Sequence, residues 1–360
     1  MSVEPRLTVL MPVHNGAGYI QLALDSVLKQ TYRDFELLVI DDGSTDDTPA
    51  ILAEYAARDS RLRVQRNQSN LGLVRSLNRG LNEAKSVYIA RMDADDICMP
   101  ERFAIQVAYL DSHPEVGLLG SKYAHIDEDG DFIYHGTPMP PAPEPGTSGY
   151  MTWKLLWMTS VQHPSAMLRR DLVQQHDLYY NADYFTAEDY ELWTRFRRHS
   201  LVERLPDMLL HYRVHSGGIS IQKRARQMET HFSITRRELE SLLSESLDLA
   251  TGWLLFKVMV PGVDVEDVHP GGDAGDAAAL LLKIEAQFVA VQTLTETERD
   301  FLRRNVMTGL HKLLALARSD QGARNRIRLL ILRRSPLAFA RLTRDSLLYR
   351  LYALDIGHCR

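Results

Sequence analysis

Three carboxylates fall within four residues at Asp93, Asp95 and Asp96, directly after the apolar run Tyr88-Ile89-Ala90-Arg91-Met92. An Asp-x-Asp pair at the tip of a strand can hold a hard divalent cation. Carboxylate oxygens suit Mg²⁺ or Mn²⁺, ions that are commonly shared with the phosphates of a substrate. The same residues would also serve as a solvated acidic turn, so their neighbours must decide. A second acidic pair, Glu188-Asp189, follows Phe185-Thr186-Ala187 and reads as the first turn of a helix, where the dipole favours anions. Taken alone, that is an ordinary helix start. His215 closes the segment Tyr212-Arg213-Val214-His215, and a lone histidine is more often structural than functional.

These groups need a scaffold, and the hydrophobic pattern supplies one. Residues 7–13 and 35–40 are continuous apolar, β-branched runs, as expected of strands covered on both faces. Further strands are predicted at 61–65, 87–92, 116–124, 162–170 and 208–214. Helical periodicity marks 20–28, 49–58, 73–84, 101–110, 153–157 and 185–195. Strand–helix alternation at this pitch implies βαβ units and a mainly parallel sheet, which takes its ligands beyond the carboxyl ends of its strands. Three such ends carry His14-Asn15, Asp41-Asp42 and Asp93-Ala94-Asp95-Asp96. There is no Walker Gly-Lys-Ser/Thr and no Gly-x-Gly-x-x-Gly after the first strand. A metal, not a backbone cradle, would therefore have to carry the charge of a diphosphate. Residues 138–149 are dense in Pro and Gly and read as a loop, equally suited to be a lid or a connector.

The chain has 360 residues, enough for one large or two ordinary domains, with a formal net charge of -5 that argues against a nucleic-acid binder. Its two cysteines, Cys98 and Cys359, have no ligand spacing and fit a reducing, cytoplasmic setting. The first six residues lack the apolar core of a signal peptide, and no apolar run reaches the roughly 20 residues of a spanning helix.

Taken together, the segments resemble the family 2 glycosyltransferases. The resemblance lies in Met11-Pro12-Val13-His14-Asn15-Gly16, Val39-Ile40-Asp41-Asp42-Gly43-Ser44-Thr45-Asp46, Asn70-Leu71-Gly72, Ala90-Arg91-Met92-Asp93-Ala94-Asp95-Asp96, His163-Pro164-Ser165, Glu188-Asp189 and Tyr212-Arg213-Val214-His215. No one of these is decisive, but they keep the family's order across residues 6–220. His14 stands where many relatives carry Tyr; an imidazole still stacks on a base. The resemblance implies a GT-A fold, a Rossmann-like α/β architecture with a mixed, mainly parallel sheet, over residues 1–220. It implies a nucleotide-diphosphate sugar donor, with a UDP-sugar the first choice, and a glycan or lipid-linked acceptor. Pro12 and His14 would line the base pocket with Asn15 beside them, and Asp42 would accept from the base imide. Arg75 would lie near the base or diphosphate, and Asp93 would reach the ribose next to Ala94. Asp95 would bind Mn²⁺ or Mg²⁺, with Asp96 adjacent and His215 contributing to the metal or diphosphate site. Asp189 would be the catalytic base, with Glu188 the alternative. A single base without a nucleophilic partner implies inversion at the anomeric carbon.

Residues 221–360 fall outside that resemblance and are expected to form a mainly helical extension, with helices at 233–249 and 277–294 and a loop at 264–276. Residues 324–350 alternate arginines with apolar residues. That pattern reads first as a solvated basic face of a helical subdomain, and second as peripheral contact with an anionic membrane surface that would suit a lipid-carried acceptor. These helices could also pack against another copy of the chain. Two other functions fit less well. A nucleotidyltransferase would carry a cation in its first loop, which His14-Asn15-Gly16-Ala17-Gly18 lacks. A non-catalytic sugar-binding module would not need Asp42, Asp93, Asp95 and Asp189 together.

Overall fold

The computed structural model describes residues 4–133, 146–218, 223–261 and 272–335. The chain divides into two compact units, Met1–Ile234 and Thr235–Arg360.

The first unit is built on one eight-stranded sheet. Its strands are β1 (Leu7–Val13), β2 (Phe35–Asp41), β3 (Leu62–Arg66), β4 (Tyr88–Arg91), β5 (Ile97–Cys98), β6 (Val116–Ile126), β7 (Met167–Arg169) and β8 (Leu201–Arg213), in the spatial order β3-β2-β1-β4-β7-β6-β8-β5. β3, β2, β1 and β4 run parallel, β7 pairs antiparallel with β4 and β6, and β6 and β8 are parallel to each other. Only β7 and the two-residue β5 therefore run against the rest. The carboxyl ends of β1, β2, β4, β6 and β8 consequently emerge at the same edge.

Every residue of β1 is buried because helices cover both faces of the sheet. The period of two splits it between two cores. Leu7, Val9, Met11 and Val13 join Ile20, Ala23, Leu24 and Val27 of α1 (Ile20–Leu28) on one face. Leu10 faces Val74, Leu77 and Leu81 of α3 (Leu73–Glu83) on the other. A methyl group on Gly80 would sit 2.1 Å from Leu10 Cδ1, so glycine sets how closely α3 lies on β1. Also on the first face are α2 (Thr48–Arg58) and α4 (Arg102–Ser112), through Leu52 and through Phe103, Val107 and Leu110. The second face carries α5 (Ser148–Lys154), the short α6 (Arg170–Gln175) and α7 (Glu188–Phe196), with Met151, Val173, Tyr190, Trp193 and Phe196 buried. Each such side chain contributes about 1.5–3 kcal/mol by leaving water.

The segment 162–170, predicted as a strand, forms a 3-10 turn at His163–Ser165 and only then the three-residue β7. Pro164 lacks an N–H, which removes one ladder donor, and Ser165 N instead bonds Gln162 O at 2.9 Å. β8 begins at Leu201, earlier than the predicted 208, and α5 ends at Lys154, where the helix was expected to begin. Residues 134–145, most of the expected loop, lie outside the described residues.

From the loop after β8 the chain enters α8 (Arg224–Leu243), within which the division between the units falls. The second unit holds α9 (Leu249–Met259), α10 (Ala274–Val291), α11 (Glu296–Leu316) and α12 (Gln321–Arg334). All four start at a side-chain cap: Asp248 accepts from Thr251 N, Asp273 from Asp276 N and Asp320 from Ala323 N, while Thr295 and Glu298 form a reciprocal capping box. Each cap is worth about 1 kcal/mol. Leu281, Ile284, Phe288, Val306, Leu310, Leu313, Ile327 and Ile331 are buried in this unit. Of the arginines in 324–350, Arg326 pairs with Asp273 and Arg334 with Glu285, and residues beyond 335 lie outside the described part. Among the described residues, no helix is long and apolar enough to cross a membrane.

Candidate active site

The loops after β1 and β2 are stitched to each other. Asn15 N donates to Ser44 Oγ at 2.9 Å, Gly16 N to Thr48 Oγ1 at 2.9 Å, Ala17 N to Asp46 Oδ2 at 3.0 Å and Thr45 N to Asn15 Oδ1 at 2.8 Å. His14 is exposed, with Nδ1 2.9 Å from the Asp42 carbonyl, and Pro12 is buried in β1. Asp42 Oδ1 accepts from Asn67 Nδ2 at 2.7 Å and Leu71 N at 2.9 Å, and Oδ2 from Gly72 N at 2.8 Å. Burial alone would raise this carboxyl, but the bonds from Asn67, Leu71, Gly72 and Ser76 outweigh it and hold it below the usual range. A carboxylate offers about four lone-pair directions, and the three bonds at 2.7–2.9 Å leave one for a ligand. What Asp42 does here is fix the 70–72 loop. Arg75 is exposed in the first turn of α3, just past that loop.

The acidic cluster lies beyond β4. Ligand oxygens of Asp93, Asp95 and Asp96 come within 4.8 Å of one another. Arg91 Nη2 pairs with Asp93 Oδ1 at 2.6 Å. His215 Nε2 lies 2.9 Å from Asp95 Oδ2, so the histidine beyond β8 meets the middle carboxylate. Arg213 N donates to Asp96 Oδ1 at 2.8 Å, and Arg213 Nε to the Asp95 carbonyl at 2.8 Å. The Arg213 guanidinium also covers the Tyr19 ring, 4.8 Å from its centre. Burial, and then the charges of Asp93 and Asp95, push the Asp96 carboxyl well above its ordinary range. Asp96 Oδ2 is buried with no hydrogen-bond partner. Three oxygen-bearing side chains with one buried, unused oxygen fit a hard divalent cation. Ala94 lies partly exposed between the first two aspartates.

On the α3/α7 face of the sheet stands the second acidic pair. Glu188 is buried and Oε2 accepts from Thr186 N at 2.8 Å. Asp189 is only partly buried and its Oδ2 accepts from Thr159 Oγ1 at 3.3 Å. Burial, with the neighbouring Asp189 charge, raises Glu188 to about 7, and burial raises Asp189 to about 6. Thr186 has φ 83°, a left-handed conformation that is costly for a β-branched residue and that turns the chain into α7. Nearby, His163 Nε2 and Tyr180 Oη are 2.8 Å apart, and burial holds His163 well below its ordinary value, hence neutral. Burial pushes the Tyr180 hydroxyl up; the charge of Arg91 opposes this and those of Asp189, Glu188 and Asp93 add to it. Arg91, Arg213, Tyr180 and Thr159 were not singled out by sequence. Only Arg91 gave a signal, as a charge inside an apolar strand.

Comparison with known proteins gives the family and the fold. The family model for glycosyl transferase family 2 matches residues 8–177. An uncharacterised glycosyltransferase of Haemophilus influenzae is 31% identical over 244 residues, 67% of this chain and 75% of the relative. The amylovoran biosynthesis glycosyltransferase AmsE of Erwinia amylovora is 32% identical over 213 residues, 57% and 73% of the two chains. Among solved structures, S. aureus TarS 1-349 in complex with UDP-GlcNAc has a TM-score of 0.55 at 18% identity, covering 92% of each chain. The mannosyltransferase PcManGT of Pyrobaculum calidifontis, in complex with GDP-Man and Mn²⁺, has a TM-score of 0.51 at 16% identity, covering 87% and 88%. These likenesses give the GT-A fold.

Proposed function

This chain belongs to glycosyltransferase family 2, and from that premise we propose that it is a metal-dependent, inverting enzyme that moves a sugar from a nucleotide diphosphate to a hydroxyl of a growing glycan. The observation that carries the reading is the Asp93–Asp95–Asp96 cluster with its unpartnered buried oxygen, met by His215 and Arg213 from the end of β8. Asp95 and Asp96, with Asp93 and His215 alongside, would hold Mn²⁺ or Mg²⁺. When bound, that ion neutralises the charge of the departing diphosphate.

The chain's own residues would do the rest. The stitched loops after β1 and β2, with Pro12, His14 and Asn15, form the wall for the base, and Asp42 shapes it by holding the 70–72 loop. Arg75 is exposed just past the same loop. Asp189 is the base. Its carboxylate takes the proton of the acceptor hydroxyl as that oxygen bonds the anomeric carbon and the bond to the diphosphate breaks. Glu188 suits this role less, because it is buried and its Oε2 already serves Thr186 N. Its bond supports the helix start from which Asp189 projects. AmsE is named for amylovoran biosynthesis, and a cell-surface polysaccharide or lipid-linked saccharide is the acceptor class we propose. A UDP-sugar is the first donor to test, since TarS was solved with UDP-GlcNAc.

The test is transfer, or slow donor hydrolysis, across a panel of nucleotide sugars with Mn²⁺ and with EDTA, in wild type and Asp189→Asn. Turnover should need the metal. Asp189→Asn should fall by about 10²–10⁴-fold, the usual share of a general base, with donor affinity within threefold of wild type. Loss of donor affinity in that variant would sink the role given to Asp189.

A further inference from the structure

Arg91 is 3% exposed, yet only one of its three guanidinium nitrogens has a partner, Asp93 Oδ1 at 2.6 Å from Nη2. Nε and Nη1 are buried and make no hydrogen bond. Buried charges are normally paired and fully hydrogen-bonded, so two idle donors on one buried cation require a reason. Strand register says where the side chain stands. Ile89 belongs to the core on the α3/α7 face, and Arg91, two residues on, shares that side of β4. It therefore stands on the face that carries α7, beside Asp93 and next to the 3-10 turn, with its own N–H bonded to Ala166 O at 2.9 Å. Its positive charge acts on both Glu188 and Asp189. The backbone there is held firmly, since Arg102 Nη2 donates to the Arg91 carbonyl at 2.9 Å.

We propose that Nε and Nη1 of Arg91 are a subsite for the transferred sugar, each donating to one of its hydroxyl oxygens. This rests on the donor reading above, in which the transferred ring must lie between the acidic cluster and Asp189. The chemistry favours hydroxyls over phosphate. Nε and Nη1 are not neighbours on the rim of the guanidinium group and cannot form the parallel fork that grips a phosphate. They suit two separate acceptors. Asp93 holds the guanidinium in place by its third nitrogen, so the donors are oriented before the sugar arrives. A site with buried polar groups waiting for hydroxyls also rejects ligands that lack them.

The experiment separates sugar from nucleotide. Wild type, Arg91→Lys and Arg91→Met, each full length and with Mn²⁺, are titrated calorimetrically with UDP, GDP and dTDP and with UDP-GlcNAc, GDP-mannose and dTDP-glucose. The expected result is a loss of at least tenfold in affinity for the nucleotide sugar that wild type binds, with the matching nucleoside diphosphate within threefold. Arg91→Lys keeps a cation beside Asp93 and carries the test if Arg91→Met melts at a much lower temperature. Equal loss of both affinities would assign Arg91 to Asp93 or the diphosphate and overturn the proposal, as would loss of neither. A wild-type chain that binds the diphosphates but none of the nucleotide sugars would also overturn it. One that binds no member of the panel would bring down the donor reading, and the proposal with it.

Discussion

At the scale of single residues, two adjacent carboxyls are given different work by their surroundings. Glu188 is inside the protein, where its oxygen holds a strained turn, while Asp189 is only partly buried and accepts from the Thr159 hydroxyl. Burial raises both, and the like charge of Asp189 raises Glu188 further, to about 7 against about 6. Asp189 thus loses its proton first as pH rises. If the ionised Asp189 is the base, the rate should fall about tenfold per unit below pH 6 and level off above it. Glu188→Gln, which keeps an oxygen for Thr186 N, should retain turnover within severalfold and the same acidic limb. A pH–rate profile of both forms decides this, and a limb that vanishes in Glu188→Gln would hand the base role to Glu188.

Elements act by delivering backbone to these residues. The turn after β2 passes through Gly43 at φ 69°, where a methyl group would lie 2.6 Å from Ser69 C and 2.8 Å from Asn70 N. Both obstacles are backbone, so neither can rotate away. The loop they belong to supplies the Leu71 and Gly72 amides that bind Asp42. Gly43→Ala should therefore cost about 1–3 kcal/mol in chemical denaturation, from strain at a left-handed residue, and weaken nucleoside diphosphate binding as well. Unchanged nucleotide affinity in a destabilised variant would mean that the 70–72 loop does not shape the base site. The same logic explains the unequal success of reading elements from sequence. β1 and β2 announce themselves because burial on both faces demands unbroken apolar residues. β7 is three residues long and follows a proline-containing turn, so the strand predicted over 162–170 contains it but overstates its length. β5 has two residues and is made a strand only by pairing with β8.

For the whole molecule, the relevant fact is that each unit has its own buried core, and all the candidate site residues fall in Met1–Ile234. A ligand that binds only the folded form stabilises what it binds, by about 2.7 kcal/mol at a hundred times its dissociation constant. Scanning calorimetry of the full chain should show a donor nucleotide with Mn²⁺ raising the transition of the sheet-bearing unit while that of the helical unit stays in place, and EDTA reversing the shift. A single transition that moves as one would show that the units do not melt independently. Within the helical unit, Arg326 and Arg334 are held in ion pairs with Asp273 and Glu285.

Sequence alone determined β1 to β4 with the helices between them and the acidic groups at strand tips, because hydrophobic period and turn chemistry are local properties of the chain. It could not decide what those groups touch. His215 reaches Asp95 and Arg213 reaches Asp96 across separations of 120 and 117 residues, by way of two strands whose register only the folded sheet fixes. The bonds from a distant loop to Asp42, the unequal burial of Glu188 and Asp189, and the idle donors of Arg91 are likewise outcomes of packing. Burial and hydrogen-bond partners are properties of the folded chain, and the residue types by themselves leave them open.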